Sequence, residues 1–252
     1  MLAVLSPAKK LNFDPLADGF AQSLPEFQND ANTLAKIASK LSVSDLRGLM
    51  KISEDLASLN KARFAAFAPA SDEQNSKQAA FAFAGDTYTG LQAENLETDD
   101  VVYAQDHIRI LSGLYGVLKP LDRIQPYRLE MGSRLQNKAG TNLYAYWGDR
   151  VGAALDQASD GVVVNCASNE YFKATGKNMT SRIITPSFKE ERDDELKMIG
   201  FFAKKARGMM ARFMVLNRIE DPEGLKDFDL EGYKFQPELS GENDWVFTRK
   251  AA

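Results

Sequence analysis

The stretch Val162-Val163-Val164-Asn165-Cys166-Ala167-Ser168-Asn169-Glu170-Tyr171-Phe172-Lys173 reads as a buried strand running into a helix begun by Ser168 or Asn169. Its polar residues fall at the strand end and the helix start, where an anion is physically favoured. Gly85-Asp86-Thr87-Tyr88-Thr89-Gly90 follows another apolar stretch and sets Asp86 in a glycine-bracketed loop, either facing a ligand or capping the next helix. Arg128 and Glu130, two apart, point to the same side of an extended segment, suited to holding phosphate and equally to an internal ion pair. Lys9, Asp86, Arg128, Glu130, Asn169 and Glu170 thus form one candidate set of acid, base and phosphate holders at strand ends, the equipment of an enzyme acting on a nucleobase or nucleotide in a polar cleft. Lys9 becomes a nucleophile only where a pocket depresses its pKa. Cys166 needs a cationic neighbour to be reactive and otherwise reads as a buried structural thiol.

A second constellation runs from Ser44 to Arg63. Ser44 and Ser53 are suitable N-caps, each followed by acidic residues, so two short helices meet at a tight connection near Lys51-Ile52. The outline is that of a helix-hairpin-helix, in which hairpin N–H groups and a helix N-terminus approach DNA phosphate without reading sequence. The glycines usual at such a turn are replaced here by Lys51 and Ser53, with Lys51 able to add charge. The same spacing also describes a plain αα-hairpin packed through Leu46, Leu49, Ile52, Leu56 and Leu59. Tyr144-Ala145-Tyr146-Trp147 offers aromatic faces for bases, or core packing.

Strand-like apolar runs occur at Leu2 to Leu5, Ala79 to Ala84, Ile108 to Leu111, Val162 to Asn165, Arg182 to Thr185 and Trp245 to Thr248. Helical periods lie between most of them, among them Pro25 to Lys40, Thr141 to Asp156 and Arg192 to Asn217. Strands separated by helices predict an α/β fold, with a mixed, largely parallel central sheet flanked by helices and a helix-hairpin-helix element near the N-terminus. In the closing segment, Phe228 to Phe235 and Trp245 to Thr248 predict a hairpin or meander, which makes the sheet mixed. No linker divides the chain, so one domain over 1–252 is expected, with a helical appendage at about 25–67.

At 252 residues with 44% apolar and 26% charged, the composition is that of an ordinary globular protein. No run approaches the length of a membrane span, and Met1 to Leu5 is too short for a secretory signal, so a cytoplasmic protein without a membrane partner is expected. One cysteine and one histidine argue against zinc, and no Walker or dinucleotide glycine pattern occurs, so neither metal nor cofactor is expected. The net charge of −4 hides an uneven distribution. Residues 109–150 hold seven basic side chains against three acidic, while 220–244 hold nine acidic against two basic.

Leu5-Ser6-Pro7-Ala8-Lys9, Gly85 to Leu91, Arg109 to Asp122, Pro126 to Gly132, Asn165 to Lys173 and Ala206-Arg207-Gly208-Met209-Met210 together resemble the YaaA family of bacterial peroxide stress proteins, over nearly the whole chain. The resemblance implies a cytoplasmic protein induced by hydrogen peroxide that limits free intracellular iron. It also implies a positively charged cleft beside a helix-hairpin-helix, and binding of double-stranded DNA. The candidate DNA contacts are then Lys51, Ser53, Lys61 and Arg63 on the hairpin and Arg109, Lys119, Arg123 and Arg128 in the basic segment, with a small-molecule ligand in the cleft as a further partner.

Overall fold

The computed structural model describes residues 1–16, 21–193 and 195–251. Fourteen elements matter to the site. In chain order they are β1 (Leu2–Leu5), α1 (Gln28–Ala38), α2 (Val43–Met50), α3 (Glu54–Ala66), α4 (Asp86–Leu91), α5 (Thr98–His107), β2 (Ile108–Ser112) and β3 (Gly116–Leu118), then β4 (Val162–Cys166), β5 (Arg182–Arg192), β6 (Glu195–Lys197), α6 (Gly200–Leu216), β7 (Lys234–Phe235) and β8 (Asp244–Lys250). The strands form one eight-stranded sheet in the order β7-β8-β5-β4-β1-β2-β3, with β6 pairing to β5. The four central pairings, from β8 to β2, are parallel, whereas β3, β6 and β7 pair antiparallel at the margins.

Every residue of β1 is buried, as a central parallel strand covered on both faces requires. β5 instead alternates, with Ile184, Pro186, Phe188 and Glu190 turned inward. From β1 the chain crosses to β2 on one side and later returns to β4 on the other. The carboxyl ends of β1 and β4 therefore flank a topological switch point, where open α/β sheets form a crevice for ligands.

Three element assignments differ from the sequence pattern. Ala79 to Ala84 is a helical turn, Ala79–Ala82, followed by the short strand Phe83–Ala84, because a segment with nearly every residue buried carries no period to distinguish the two. The expected helix from Arg192 begins only at Gly200, since Glu195–Lys197 folds back as β6 onto β5. The expected helix from Thr141 is interrupted at Gly148, whose φ of +53° separates Leu143–Trp147 from Arg150–Ala158.

The two short helices expected between Ser44 and Arg63 are α2 and α3, which pack on each other as an αα-hairpin. The first cap is Ser42, not Ser44: Ser42 and Asp45 form a reciprocal capping box. Lys51 takes the left-handed conformation (φ 53°) that ends α2, the place where glycine is usual, and Ser53 caps α3 by accepting from Leu56 N–H. Packing runs through Leu46, Met50, Ala57 and Phe64, while Leu56 and Leu59 face outward rather than inward. Gly48 sits in the middle of α2 with open space where a Cβ would lie. Gly48→Ala should therefore stabilise the fold by about 0.5–1 kcal/mol, seen as a raised denaturant midpoint. An unchanged or lowered midpoint would contradict the open-space assignment.

Candidate functional site

The crevice at the switch point is assembled from backbone that follows β1 and β4. Ser6 Oγ accepts from Ser168 N–H (2.8 Å), which ties the two strand ends together, and the Tyr88 hydroxyl donates to Ser6 O (3.1 Å). Beyond Ser6 the chain leads to Lys9, whose ammonium lies 3.6 Å from Glu130. The same Glu130 oxygen accepts from Arg128 Nε (3.1 Å) and Nη2 (3.0 Å). Its other oxygen, Oε2, is buried and has no hydrogen-bond partner among the described residues. Pro7, Ala8, Lys9, Tyr127, Arg128, Leu129, Glu130 and Tyr171 line a small pocket here.

Three tyrosines back this corner. Burial pushes the hydroxyls of Tyr88, Tyr127 and Tyr171 upward in pKa, with further upward contributions from one another's charge for Tyr88 and from Glu130 for Tyr127. They are neutral hydrogen-bonding groups at physiological pH. Ser112 Oγ accepts from the N–H groups of Leu114 and Tyr115, so its own proton is directed to Tyr127 (2.6 Å) and the Tyr127 proton is left for another acceptor.

The other members of the strand-end set lie around this pocket. Glu170 Oε1 accepts from Gly132 N–H (2.9 Å), and Asn169 is exposed at the start of the four-residue helix Asn169–Phe172. Asp86 opens α4 and faces Lys204 at 3.7 Å, while Gly85 packs against Ala8, where an added Cβ would lie 3.2 Å from the Ala8 methyl. Lys9, Arg128 and Glu130 are thus in direct contact, Glu170 adjoins them through Gly132, and Asp86 reaches them only through Gly85 and Ala8. Cys166 is buried and its thiol is pushed up to about 12 by burial, so it is a neutral structural residue.

The cations of the central basic segment are mostly turned inward. Arg109 is buried and donates to the carbonyls of Gln105 and Ile108, and Arg123 is buried and donates to Ser76 Oγ and O. Neither has a guanidinium available to a duplex, which removes both from the set of surface contacts. Arg150 pairs with Asp30 (2.7 Å) and lies over the rings of Tyr146 and Trp147. Trp147 is buried and donates to Gly113 O, so this aromatic run is core rather than a stacking platform. Lys119 is half-buried, and Asp122 beside it is a buried carboxyl raised by burial.

The hairpin divides differently. Lys61 donates to Ser39 O (2.6 Å) and Leu41 O (2.7 Å), closing the end of α1, and burial lowers the Arg63 pKa. Lys51 and Ser53 are exposed at the turn. Lys36, Lys40 and Arg47, which the sequence reading did not single out, are also exposed on α1, its end and α2, and like Lys51 make no side-chain hydrogen bond or ion pair with any described residue. Their one-turn spacings, 36 to 40 and 47 to 51, are the signal that pattern reading passed over.

A family profile described as peroxide stress protein YaaA matches residues 1–239. The chain belongs to the YaaA family. Curated YaaA-like relatives carry the name UPF0246 protein: one from Dinoroseobacter shibae is 54% identical over 99% of this chain and 95% of its own length. One from Caulobacter vibrioides is 50% identical over 99% of both, and one from Maricaulis maris 49% identical over 99% and 96%. The motifs of this YaaA chain that meet at the switch point are Ser6 to Lys9, Gly85 to Tyr88, Tyr127 to Gly132, Cys166 to Tyr171 and Arg207-Gly208. Among the described residues no helix is long and apolar enough to cross a membrane.

Proposed function

We propose that this peroxide stress protein binds double-stranded DNA in the cytoplasm through its first three helices, with little sequence preference, and so limits iron-driven damage. One observation supports the reading: Lys36, Lys40, Arg47 and Lys51 are exposed, unpaired cations on one short helical unit of a chain whose net charge is −4. Four such cations within one short helical unit give phosphate a concentrated patch of free charge. Glu54 and Asp55 occupy the first turn of α3, which neutralises that helix end. The grip therefore rests on side-chain cations near the turn rather than on the helix N-terminus. Neutralising phosphates displaces the cations condensed on them, iron(II) among these, which links DNA occupancy to less iron at the site of radical chemistry.

The test is fluorescence anisotropy with a labelled duplex over a range of salt. Replacing Arg47 and Lys51 together by alanine should reduce the slope of log affinity against log salt by about 1.8, two phosphate contacts at about 0.9 each. Lys61→Ala should instead lower the melting temperature with little effect on that slope. An undiminished slope in the Arg47/Lys51 variant would rule out the hairpin as the contact.

A further inference from the structure

Between α1 and the last turn of α3 lies a cavity of about 270 Å3, room for one nucleobase. Ala35 and Phe64, both buried, form its floor, and the half-buried ring of Phe67 also lines it. Lys36, Ala65 and Pro69 are exposed, so the cavity opens to solvent between them. Its shape is fixed from behind. Asn32 Nδ2 donates to Pro69 O (3.0 Å), and the Gln125 amide accepts from Ala68 N–H (2.8 Å) and donates to Ala68 O (2.7 Å). The wall that follows α3 is thereby held in place without a ligand, as is usual for binding cavities.

Charge around the mouth has one sign. No carboxylate lines the cavity among the described residues, whereas Lys36 does, with Lys40 one turn further on. Arg63, one turn before Phe67, resembles these two lysines in making no side-chain hydrogen bond or ion pair with any described residue. An apolar, aromatic cavity with uncommitted cations at its rim suits a flat ring attached to phosphates. The Asn32 amide is engaged at both ends, its Oδ1 accepting from Gln28 Nε2 (2.8 Å). The cavity therefore meets the face of a ring rather than reading its edge.

We propose that this cavity receives a single base turned out of a DNA duplex, with its face on Phe67 and its flanking phosphates on Lys36 and Lys40. The assignment rests on the reading that the first three helices hold DNA, and it names the form of DNA they hold best. Turning a base out breaks its stacking and pairing, so an unpaired base enters most easily. Contact with the ring face alone keeps recognition tolerant of sequence.

The test compares a perfect duplex with the same duplex carrying one unpaired 2-aminopurine, by anisotropy and by the fluorescence of that base, using the full chain, Phe67→Ala and Ala65→Leu. The parent should bind the bulged duplex about tenfold more tightly, as stacking of one base allows, and the 2-aminopurine emission should change on binding. Both variants should lose that preference and keep the parent's affinity for the perfect duplex. Ala65→Leu fills the cavity from an exposed helical position, so it carries the test should Phe67→Ala not fold. Equal affinity of the parent for the two duplexes would overturn the cavity as a base site and leave the phosphate contacts standing, whereas absence of binding to either would remove both. A preference that survives in either folded variant would also overturn the site, as would competition by free adenosine monophosphate at the concentration at which the bulged duplex itself competes.

Discussion

Gly208→Ala should unfold readily, losing about 3 kcal/mol or more of stability, although alanine is the better helix former. α6 crosses α4 with backbone against backbone: a Cβ at Gly208 would lie 1.8 Å from Thr87 O and 2.8 Å from Leu91 N, and one at Gly90 would lie 2.0 Å from Lys205 O. These obstacles are main-chain atoms, so no rotamer change relieves them. The helix-propensity gain of about 1 kcal/mol is smaller than the cost of prising two packed helices apart. The crossing also matters for the site, since it sets Lys204 opposite Asp86 and brings Arg207 to the end of β4. Urea unfolding followed by circular dichroism would check this, with Gly48→Ala as the contrasting case. A Gly208→Ala midpoint equal to the parent's would mean that the helices do not touch here.

Glu190→Gln should cost about 3 kcal/mol at neutral pH, and the cost should shrink in acid. Glu190 is buried on β5, yet each of its oxygens meets a guanidinium fork: Oε1 accepts from Arg249 Nε (2.9 Å) and Nη2 (2.7 Å), Oε2 from Arg192 Nε (3.0 Å) and Nη2 (2.7 Å). Burial by itself would raise its pKa; the hydrogen bonds from Arg249 and Arg192 outweigh burial and hold the carboxyl below the usual range. Arg192 is exposed, so solvent screens its share and most of the loss belongs to Arg249. A depressed folded-state pKa contributes stability that is complete above the unfolded value, about 4.3, and is lost as pH falls through the folded value. Parent and variant stabilities should therefore converge below about pH 4. A difference that is constant from pH 7 to pH 3 would contradict a charged Glu190.

The parallel core was legible because apolar runs such as Leu2 to Leu5 and Val162 to Val164 are short and unbroken, the pattern of strands covered on both faces. The hairpin was legible from its serine caps, although Ser42 rather than Ser44 makes the first capping box, a choice set by the reciprocal bond with Asp45. Charge counts located the basic segment but not the direction of its side chains. Arg123 is consumed by Ser76, far away in sequence, a contact that no local pattern encodes, while Arg109 turns back onto the carbonyls of Gln105 and Ile108 beside it. Gly208 was the local clue to the crossing of α6 over α4, because a glycine inside a helix calls for a close approach.

Hydrogen–deuterium exchange with and without a short duplex at low salt is the direct test of whether duplex DNA lies on the first three helices. Added protection should concentrate in peptides covering residues 36–63. Protection confined to peptides from the strand-end crevice, around residues 6–9, 126–132 and 166–173, would contradict it and place the nucleic acid in the crevice instead.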